Sequence, residues 1–336
     1  MRIGIAFDLA PGHPSHDGPD DRYEEFDKPE TVEAIATVLR GEGHEVVLLG
    51  DGREFLSRIL DTNVDLVWNL AEGEGVGRCR EARVPAVLEM LGIPYTGSDP
   101  LTLSVCLDKT VAKDLVRGAM RTPLGLAVRS AKDLQSLPYR NRIHVVGPGP
   151  WIIKPAYEGS SKGIRARSLA DDWDAVLRLT DEMVRDYDQP ILVEQFIEGD
   201  EVTVGLIGNG QDVEVIGSMR IRPKSPDPNF IYSIEVKRNW DERVEYETPA
   251  KLPEDVLISI QASARDAFLF LGCRDVARID FRVWDGRAYF LEANPLPGLA
   301  PDWSDLVILA KGFGIPHADL ILRILNASVK RLGLTR

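Results

Sequence analysis

Two acidic residues lie inside a predicted β-hairpin near the end of the chain, at positions where a strand usually carries apolar side chains. The hairpin is predicted from two strand-like runs that flank Trp284, Asp285 and Gly286. Asp280 lies in the first run and Glu292 lies in the second. An unpaired buried carboxylate is strongly unfavourable, so each of these side chains requires a cation nearby.

The register of the hairpin decides whether the two carboxylates share a face. A two-residue loop, Asp285-Gly286, would place Asp280 and Glu292 on opposite faces, because side chains alternate along a strand. We expect a three-residue loop with Gly286 left-handed, which shifts the register by one residue. Asp280, Glu292 and Asn294 then share one face and offer hard oxygen ligands suited to Mg²⁺. The alternative is a pair of solvated acids at a strand edge.

Composition narrows the classes of partner. The 336 residues include 53 acidic and 40 basic side chains, for a formal net charge of −13, which argues against a nucleic-acid backbone as the main partner. This length predicts two or three domains. The three cysteines are far apart and odd in number, which favours a reducing compartment. No secretory or membrane-spanning pattern occurs, so we expect a cytoplasmic protein without a membrane partner.

The first hundred residues alternate between strand and helix patterns. Apolar strands are predicted at 2–7, 45–49 and 66–70, with helices at 29–43, 55–60 and 81–91. This order is typical of a parallel sheet covered on both faces. Ligands gather beyond the carboxyl ends of such strands, so loops 8–29 and 71–80 are candidate binding loops. The glycines of loop 71–80 give only a weak dinucleotide signal, because Glu72 and Glu74 would repel a pyrophosphate.

The middle of the chain carries a candidate phosphate loop. A helix is predicted over 103–117, and a strand over 151–154 leads into a Gly/Ser-rich loop at 155–164. Backbone N–H groups of such a loop can surround phosphate oxygens, and Lys154 and Lys162 add positive charge. The spacing is not that of a P-loop, and an ordinary hairpin turn is the alternative. Residues 222–240 lack a core pattern, which predicts a long loop that could act as a lid.

Several short sequence motifs follow one another along the chain in a characteristic order, at 93–98, 107–109, 153–161, 193–201, Lys237, 277–280 and 291–298. In this order, over about residues 65–330, the chain resembles the ATP-grasp superfamily and, within it, the D-alanine–D-alanine ligase-like group. The resemblance implies that ATP phosphorylates a carboxylate and that an amine attacks the acylphosphate to form an amide. It implies ATP and Mg²⁺, with Mn²⁺ as an alternative metal, two small amino-acid-like substrates and a homodimer.

The resemblance also implies an architecture. The fold class is α/β, α+β in the ATP-grasp part, with an N-terminal Rossmann-like parallel sheet followed by two subdomains that clamp the nucleotide. The implied domains are residues 1–100, 101–190 and 191–336, with the metal site and lid 222–240 in the last.

The matching positions take over the family's roles. Nucleotide contacts fall on Lys109, Lys154, Glu158, Ser161, Glu194, Phe196, Ile197, Glu201 and Leu291. Catalytic contacts fall on Ser160, Lys237, Arg278 and Gly298, of which Arg278 and the Gly298 amide would stabilise an oxyanion. The resemblance implies Asp280, Glu292 and Asn294 as metal ligands and Ser304 as a substrate contact. Glu30, Arg238 and Asp305 are further candidate substrate contacts, at places where the chain departs from the family.

Departures from the family pattern are concentrated where substrates bind. The family's N-terminal Gly-Gly-x-Ser-x-Glu loop is absent, and Glu30 is a candidate replacement for its glutamate. The family's His-Gly pair is here Asn69-Leu70, and the aromatic residue after the lid lysine is Arg238, which could clamp an acidic substrate. Three functions therefore stay open: a D-alanine ligase, a ligase of the same chemistry for another pair, and a nucleotide-binding protein without catalysis.

Overall fold

The first part of the computed structural model, which describes residues 1–11 and 18–334, is a three-stranded parallel sheet. Its elements are β1 (Arg2–Ala6), α1 (Pro29–Gly41), β2 (Glu45–Gly50), α2 (Gly52–Asp61), β3 (Leu66–Asn69) and α3 (Arg83–Leu91). The strand order β2-β1-β3 brings the carboxyl ends of all three strands to one edge. The predicted strand–helix alternation and parallel sheet are confirmed.

A four-stranded antiparallel sheet of order β4-β7-β5-β6 follows. The elements of this part are α4 (Pro100–Leu107), α5 (Lys109–Val116), β4 (Gly125–Val128), α6 (Ala131–Gln135), α7 (Tyr139–Val146), β5 (Trp151–Pro155), β6 (Leu169–Ala170), α8 (Trp173–Tyr187) and β7 (Ile191–Gln195). The single helix predicted over 103–117 is wrong. The chain extends at Asp108, whose carboxylate caps α5 by accepting from the backbone N–H groups of Thr110 and Val111 at 3.1 and 3.2 Å. This break places Lys109 in the first turn of α5.

The last part contains a five-stranded antiparallel sheet of order β10-β9-β8-β11-β12. Its elements are β8 (Asp200–Gly208), β9 (Glu214–Pro223), α9 (Ile234–Arg238), α10 (Trp240–Arg243), β10 (Val244–Glu247), α11 (Glu254–Phe270), β11 (Asp275–Trp284), β12 (Arg287–Asn294), α12 (Asp305–Gly312) and α13 (His317–Leu332). Short 3₁₀ turns lie at Ala166–Ser168 and Gly210–Asp212. Within the described ranges, no helix combines the length and the apolar character needed to cross a bilayer.

The hairpin β11–β12 reaches the predicted side-chain arrangement by a different route. Trp284 pairs with Arg287, so the loop has two residues, with Asp285 and Gly286 at φ 49° and 68°. These angles fit the turn that matches the twist of a hairpin. A bulge at Leu291 supplies the register shift, because Phe281 pairs with Phe290 while Asp280 pairs with Glu292. The three-residue loop is wrong, but the two carboxylates do face each other.

The hydrophobic cores join parts of the chain that the predicted domain boundaries separate. Leu306, Leu320 and Ile324 of α12 and α13 belong to the same core as the parallel sheet. Helices α4 and α5 pack on the five-stranded sheet, and β7 lies in the four-stranded sheet, although the predicted boundary at 190/191 separates it from β4 and β5. The two ends of the chain are thus held together by shared packing.

The predicted lid is an ordered cover and not a structureless loop. Within 222–240, Tyr232 and Ile234 are buried, and α9 begins at Ile234. The N–H of Ile234 donates to the carbonyl of Ile164 at 2.9 Å, and Ser161 Oγ donates to the carbonyl of Tyr232 at 2.8 Å. The lid therefore lies against the 155–164 loop.

Asp275 joins three distant segments at the start of β11. Its carboxylate accepts from the Gly97 N–H at 2.8 Å, from Ser328 Oγ at 2.6 Å and from Arg331 Nη2 at 2.7 Å. The residue is fully buried, while Arg331 comes from the far end of α13. This network fastens the C-terminal helix to the junction that follows the parallel sheet.

We expect Asp275→Asn to lower the free energy of unfolding by about 3 kcal/mol, because it leaves the Arg331 charge without its buried partner. Asparagine tolerates the left-handed backbone at this position, where φ is 66°, so backbone strain does not enter. The matched control is Asp212→Asn, which breaks the exposed ion pair between Asp212 and Lys330 of the same helix α13 and should leave stability nearly unchanged. Urea titration measures both, and equal losses would contradict the role of Asp275.

Candidate active site

A cavity with about 890 Å³ of open space lies between the two antiparallel sheets, and we call it the inner cavity. Lys154, Glu194 and Phe196 line it from the four-stranded sheet and its end, whereas Glu201 and Asp280 line it from the five-stranded sheet. The structure thus brings both predicted halves of the nucleotide site to one cavity.

Glu194 holds two lysines at the wall of the inner cavity. Its Oε1 lies 2.6 Å from Lys154 Nζ, and its Oε2 lies 2.6 Å from Lys113 Nζ. Burial opposes ionisation, but the two lysines hold the pKa of Glu194 below its ordinary value. Burial also lowers the pKa of Lys113 to about 8. Glu194 was expected to contact the nucleotide, whereas its carboxylate oxygens are both taken by lysines.

Lys113 and Arg282 were missed by the sequence reasoning, although spacing could have found them. Lys113 lies one helical turn after Lys109 on α5, and Arg282 lies two residues after Asp280 on the same strand face. Arg282 Nη2 lies 2.9 Å from Glu201 Oε2 and donates to the Phe230 carbonyl at 2.5 Å. It therefore fixes Glu201, a predicted nucleotide contact, and ties it to the lid.

Four further predicted residues line the inner cavity: Phe196, Ile197, Leu291 and Glu292. The backbone N–H of Phe196 donates to the Pro150 carbonyl at 2.9 Å, so this donor is not free for a nucleotide. Ile197 lines the cavity wall beside it. Leu291 and Glu292 are consecutive, yet both face the inner cavity. The bulge explains this, because it re-aims the extra residue of the strand.

Asp280 and Glu292 meet at the wall of this cavity, and Asn294 lies beside Asp280. Asn294 Nδ2 donates to Asp280 Oδ2 at 3.0 Å, and Lys109 Nζ lies 3.0 Å from Glu292 Oε2. Lys109 also donates to the carbonyl of Glu158. Burial opposes ionisation of Glu292, but Lys109 outweighs it and holds the pKa of this carboxyl at about 2. Burial raises the pKa of Asp280, despite the Arg278 guanidinium beside it.

The donor set fits a divalent cation by chemistry. Two carboxylates and one amide oxygen lie on one sheet face, and the Asp280 and Glu292 side chains are 14% and 20% exposed towards the cleft. In residues 1–11 and 18–334, no three His, Cys, Asp or Glu side chains gather to hold a metal ion. The third protein ligand would therefore be Asn294, with other ligands completing the shell.

Arg278 lies between two carboxylates. Its Nη2 lies 2.8 Å from Asp280 Oδ2 and its Nη1 lies 3.0 Å from Asp305 Oδ2. Asp305 also accepts from the Tyr232 hydroxyl at 3.2 Å, so its carboxylate positions Arg278 and the lid, where a substrate contact was expected. Ser304 Oγ accepts from the Ala300 N–H at 2.9 Å, which gives this hydroxyl a structural partner too.

The 155–164 loop brings the hydroxyl of Ser160 to the wall of the inner cavity. Ser160 and Ser161 both have left-handed backbones, with φ 49° and 59°. Ser161 donates its hydroxyl proton to the lid backbone, as described above, so this hydroxyl has a structural partner. Ser160 Oγ has no hydrogen-bond partner among the described residues. Ser160 and Arg278 both line the inner cavity and the two spaces next to it, defined below.

Two further spaces adjoin the inner cavity. The carboxylate pocket is lined by Glu25, Glu72, Glu81, Glu158, Lys109, Ser160, Arg278, Glu292, Asn294 and Gly298, among others. The outer cavity is lined by Glu30, Lys237, Arg238, Trp303, Ser304 and Asp305, together with Ser160, Arg278 and Gly298. Glu158, predicted to contact the nucleotide, turns its carboxylate to Lys162 at 2.8 Å and to Arg80 at 3.3 Å.

The predicted substrate residues differ in their surroundings. Glu30 is exposed at the start of α1, whereas Glu25 is buried, with its carboxylate 2.6 Å from Arg80 Nη2. No sequence signal distinguished Glu25 from its acidic neighbours. Arg238 pairs with Asp20 and Glu24 at 2.7 Å each, so the carboxylates that it clamps belong to the chain itself. Lys237 lines the inner and outer cavities without an ion pair to any described residue.

Known proteins resemble this chain in sequence. The family model described as "D-ala D-ala ligase C-terminus" matches residues 131–326. The D-alanine–D-alanine ligase of Citrifermentans bemidjiense is 33% identical over 296 residues, which cover 88% of this chain and 89% of the relative. That of Syntrophotalea carbinolica is 34% identical over 305 residues, with coverage of 90% and 91%.

Solved structures resemble it in fold. The D-alanine–D-alanine ligase of Bacillus anthracis complexed with ATP superposes with a TM-score of 0.74 over 98% of both chains, at 22% identity. The VanG D-Ala:D-Ser ligase of Enterococcus faecalis also gives 0.74, at 20% identity, over 98% of this chain and 100% of the other. These matches confirm the predicted ATP-grasp fold.

We expect Glu194→Gln to raise the Kd for ATP at least about tenfold, because Lys113 and Lys154 lose the charge that holds them at the cavity wall. The free energy of unfolding should fall by about 3 kcal/mol, since two buried cations are left unpaired. Glu198→Gln is the matched control, because Glu198 is exposed just beyond the same strand. ATP titration and urea unfolding of both variants measure the effects. An unchanged Kd in Glu194→Gln would show that the lysine pair does not serve the nucleotide.

Proposed function

This chain belongs to the D-alanine–D-alanine ligase family of ATP-dependent, amide-forming ligases, and we propose that it activates one small amino acid as an acylphosphate and joins it to the amine of a second. The observation that carries the proposal is the position of Ser160 and Arg278, which line the inner cavity, the carboxylate pocket and the outer cavity at once. A reaction of ATP, an acid and an amine needs one such meeting point.

The inner cavity suits the nucleotide. Lys154 brings positive charge to its wall, and Lys109 pairs with Glu292 of the same wall. Glu201 and Leu291 line the cavity with a carboxylate and an apolar side chain. Lys237 reaches the same cavity from the lid. Mg²⁺ held by Asp280, Glu292 and Asn294 would neutralise charge on the phosphates. The lysines then stabilise the phosphate charge that remains.

The meeting point suits acyl transfer. A carboxylate beside Ser160 and Arg278 is oriented for phosphorylation, and attack of an amine on the acylphosphate builds negative charge on the carbonyl oxygen. The Arg278 guanidinium and the Gly298 N–H supply hydrogen-bond donors for this oxyanion. A Cβ at position 298 would lie 2.8 Å from Ser304 Oγ, so the close approach of the backbone at this wall favours glycine. Phosphate leaves as the amide bond forms.

D-Alanine is the first substrate to test, because the relatives are named for it. A different pair of substrates is the alternative, since Glu25 and Arg80 line or flank the carboxylate pocket, and Arg238 is bound to loop residues Asp20 and Glu24.

The test is phosphate release from Mg-ATP with single and paired amino acids, D-alanine included, followed by mass measurement of the product. A product mass equal to two amino acids less water supports a ligase. ATP binding without phosphate release for any pair would refute it.

We expect Asp280→Asn to reduce kcat at least about a hundredfold, because the loss of a metal-ligating charge removes several kcal/mol of transition-state stabilisation. The matched control is Asp285→Asn, the same change at the turn of the same hairpin, where asparagine suits the positive φ of 49°. The control should keep normal activity. Steady-state phosphate release at varied Mg²⁺ measures both, and an Asp280→Asn variant with unchanged kcat and Mg²⁺ dependence would exclude this metal site.

A further inference from the structure

Arg282 is a buried residue of β11 that contacts both the wall of the inner cavity and the lid. Its Nη2 lies 2.9 Å from Glu201 Oε2 and donates to the Phe230 carbonyl at 2.5 Å. Its Nη1 donates to the Gly199 carbonyl at 3.0 Å, and its guanidinium carbon lies 5.1 Å from the centre of the Phe196 ring. One side chain therefore joins the residues after β7, the start of β8 and the lid.

These contacts depend on the shape of the guanidinium group. Its donors are held in a fixed planar fork, so Nη2 can serve Glu201 and Phe230 while Nη1 serves Gly199. A lysine at this position would keep the charge, but its single nitrogen has no such fork. The carbonyls of Phe230 and Gly199 belong to the backbone, so Arg282 fixes the path of the chain on both sides of the cavity.

Glu201 presents a carboxylate to a ligand in the inner cavity. Its side chain is 16% exposed, and its Oε1 accepts no hydrogen bond from any described residue. Burial raises the pKa of Glu201, and the Arg282 guanidinium opposes that rise, so the charge of Glu201 depends on Arg282. A carboxylate repels the phosphates of a nucleotide but accepts hydrogen bonds from the hydroxyl groups of its sugar. Glu201 is thus suited to the ribose of ATP.

Phe230 connects Arg282 to the part of the lid that reaches the phosphates. Phe230 and Tyr232 are buried in the same small core, and the Tyr232 hydroxyl donates to Asp305 at 3.2 Å. Helix α9 follows, and its Lys237 lines the inner cavity. The position of the Phe230 carbonyl therefore bears on where Lys237 lies.

We propose that Arg282 is a positioning residue that couples the binding of the nucleotide's ribose hydroxyls at Glu201 to the closed position of the lid. Hydroxyls that donate to Glu201 hold its carboxylate where Arg282 can contact it and Phe230 together. This inference rests on the proposed function, because it requires a nucleotide in the inner cavity. The phosphates act on the lid through Lys237 whichever sugar is present, so the part of lid closure that depends on the sugar reports on Arg282.

Hydrogen–deuterium exchange of the lid amides, 222–240, tests this coupling without knowledge of the amino-acid substrates. The nucleotides are Mg-ATP and Mg-2′,3′-dideoxy-ATP, which lacks both ribose hydroxyls. Each is used at saturation according to its own measured Kd, so that a difference in affinity does not enter. We expect lid exchange to be at least about tenfold slower with ATP than with the dideoxy analogue, as expected for one hydrogen bond to a charged group.

Arg282→Lys should abolish this difference, because lysine keeps a charge beside Glu201 but loses the contact with Phe230. Urea unfolding checks that the variant is folded. Glu201→Gln is a second, independent variant, which should reduce the difference because a neutral amide accepts a weaker hydrogen bond than a carboxylate. Arg287→Lys is the matched control, because Arg287 is exposed in the same hairpin, and it should retain the full difference.

Equal lid exchange with the two nucleotides in the unmodified protein overturns the inference. An undiminished difference in both Arg282→Lys and Glu201→Gln also overturns it, since the ribose hydroxyls would then act on the lid by another route. In either case the ligase function stands on phosphate release and the mass of the product. Failure of the unmodified protein to bind either nucleotide refutes the proposed function, and the inference fails with it.

Discussion

Arg278 carries a buried charge between Asp280 and Asp305, and the arrangement of the site depends on keeping that charge neutralised. Asp280 lies on the same strand, whereas Asp305 begins α12 and also accepts a hydrogen bond from Tyr232 of the lid. Because an unpaired buried guanidinium would be strongly unfavourable, strand, helix and lid have to keep their relative positions. The same interactions aim the guanidinium at the point where the three cavities meet. Stability and the proposed chemistry therefore depend on one set of ion pairs.

The same rule governs the contacts between distant parts of the chain. Glu25 from the N-terminal loop, Arg80 from the loop after β3, and Glu158 and Lys162 from the 155–164 loop neutralise one another in a buried cluster. Arg238 of α9 clamps Asp20 and Glu24, which fastens the lid to the N-terminal loop. Domains that close over a nucleotide need interactions that form on closure, and ion pairs between loops suit this purpose because their partners can separate into water.

The hairpin shows how much of a site can be predicted from local sequence patterns. Side-chain alternation together with an assumed three-residue loop placed Asp280, Glu292 and Asn294 on one face, and the structure reaches that face with a two-residue loop and a bulge. The turn was nevertheless mispredicted, because a bulge at Leu291 and a longer turn produce the same register. Similarly, the apolar pattern over 103–117 indicated helix but not the break at Asp108, where a side-chain cap outweighs the continuation of the helix. The lid was taken for a loop because its buried residues are too few and irregularly spaced to show a period.

By itself, the sequence determined the order of the motifs, the parallel sheet at the start and the paired carboxylates of the hairpin, because each depends on residues close together in the chain. Only the tertiary structure decided which charges neutralise which. It paired Glu194 with Lys113 and Lys154, gave Arg80 to Glu25 and left Glu72 and Glu81 without partners among the described residues. The physical reason is that an ion pair depends on distance and burial in space. Both quantities are set when segments separated by tens of residues pack together.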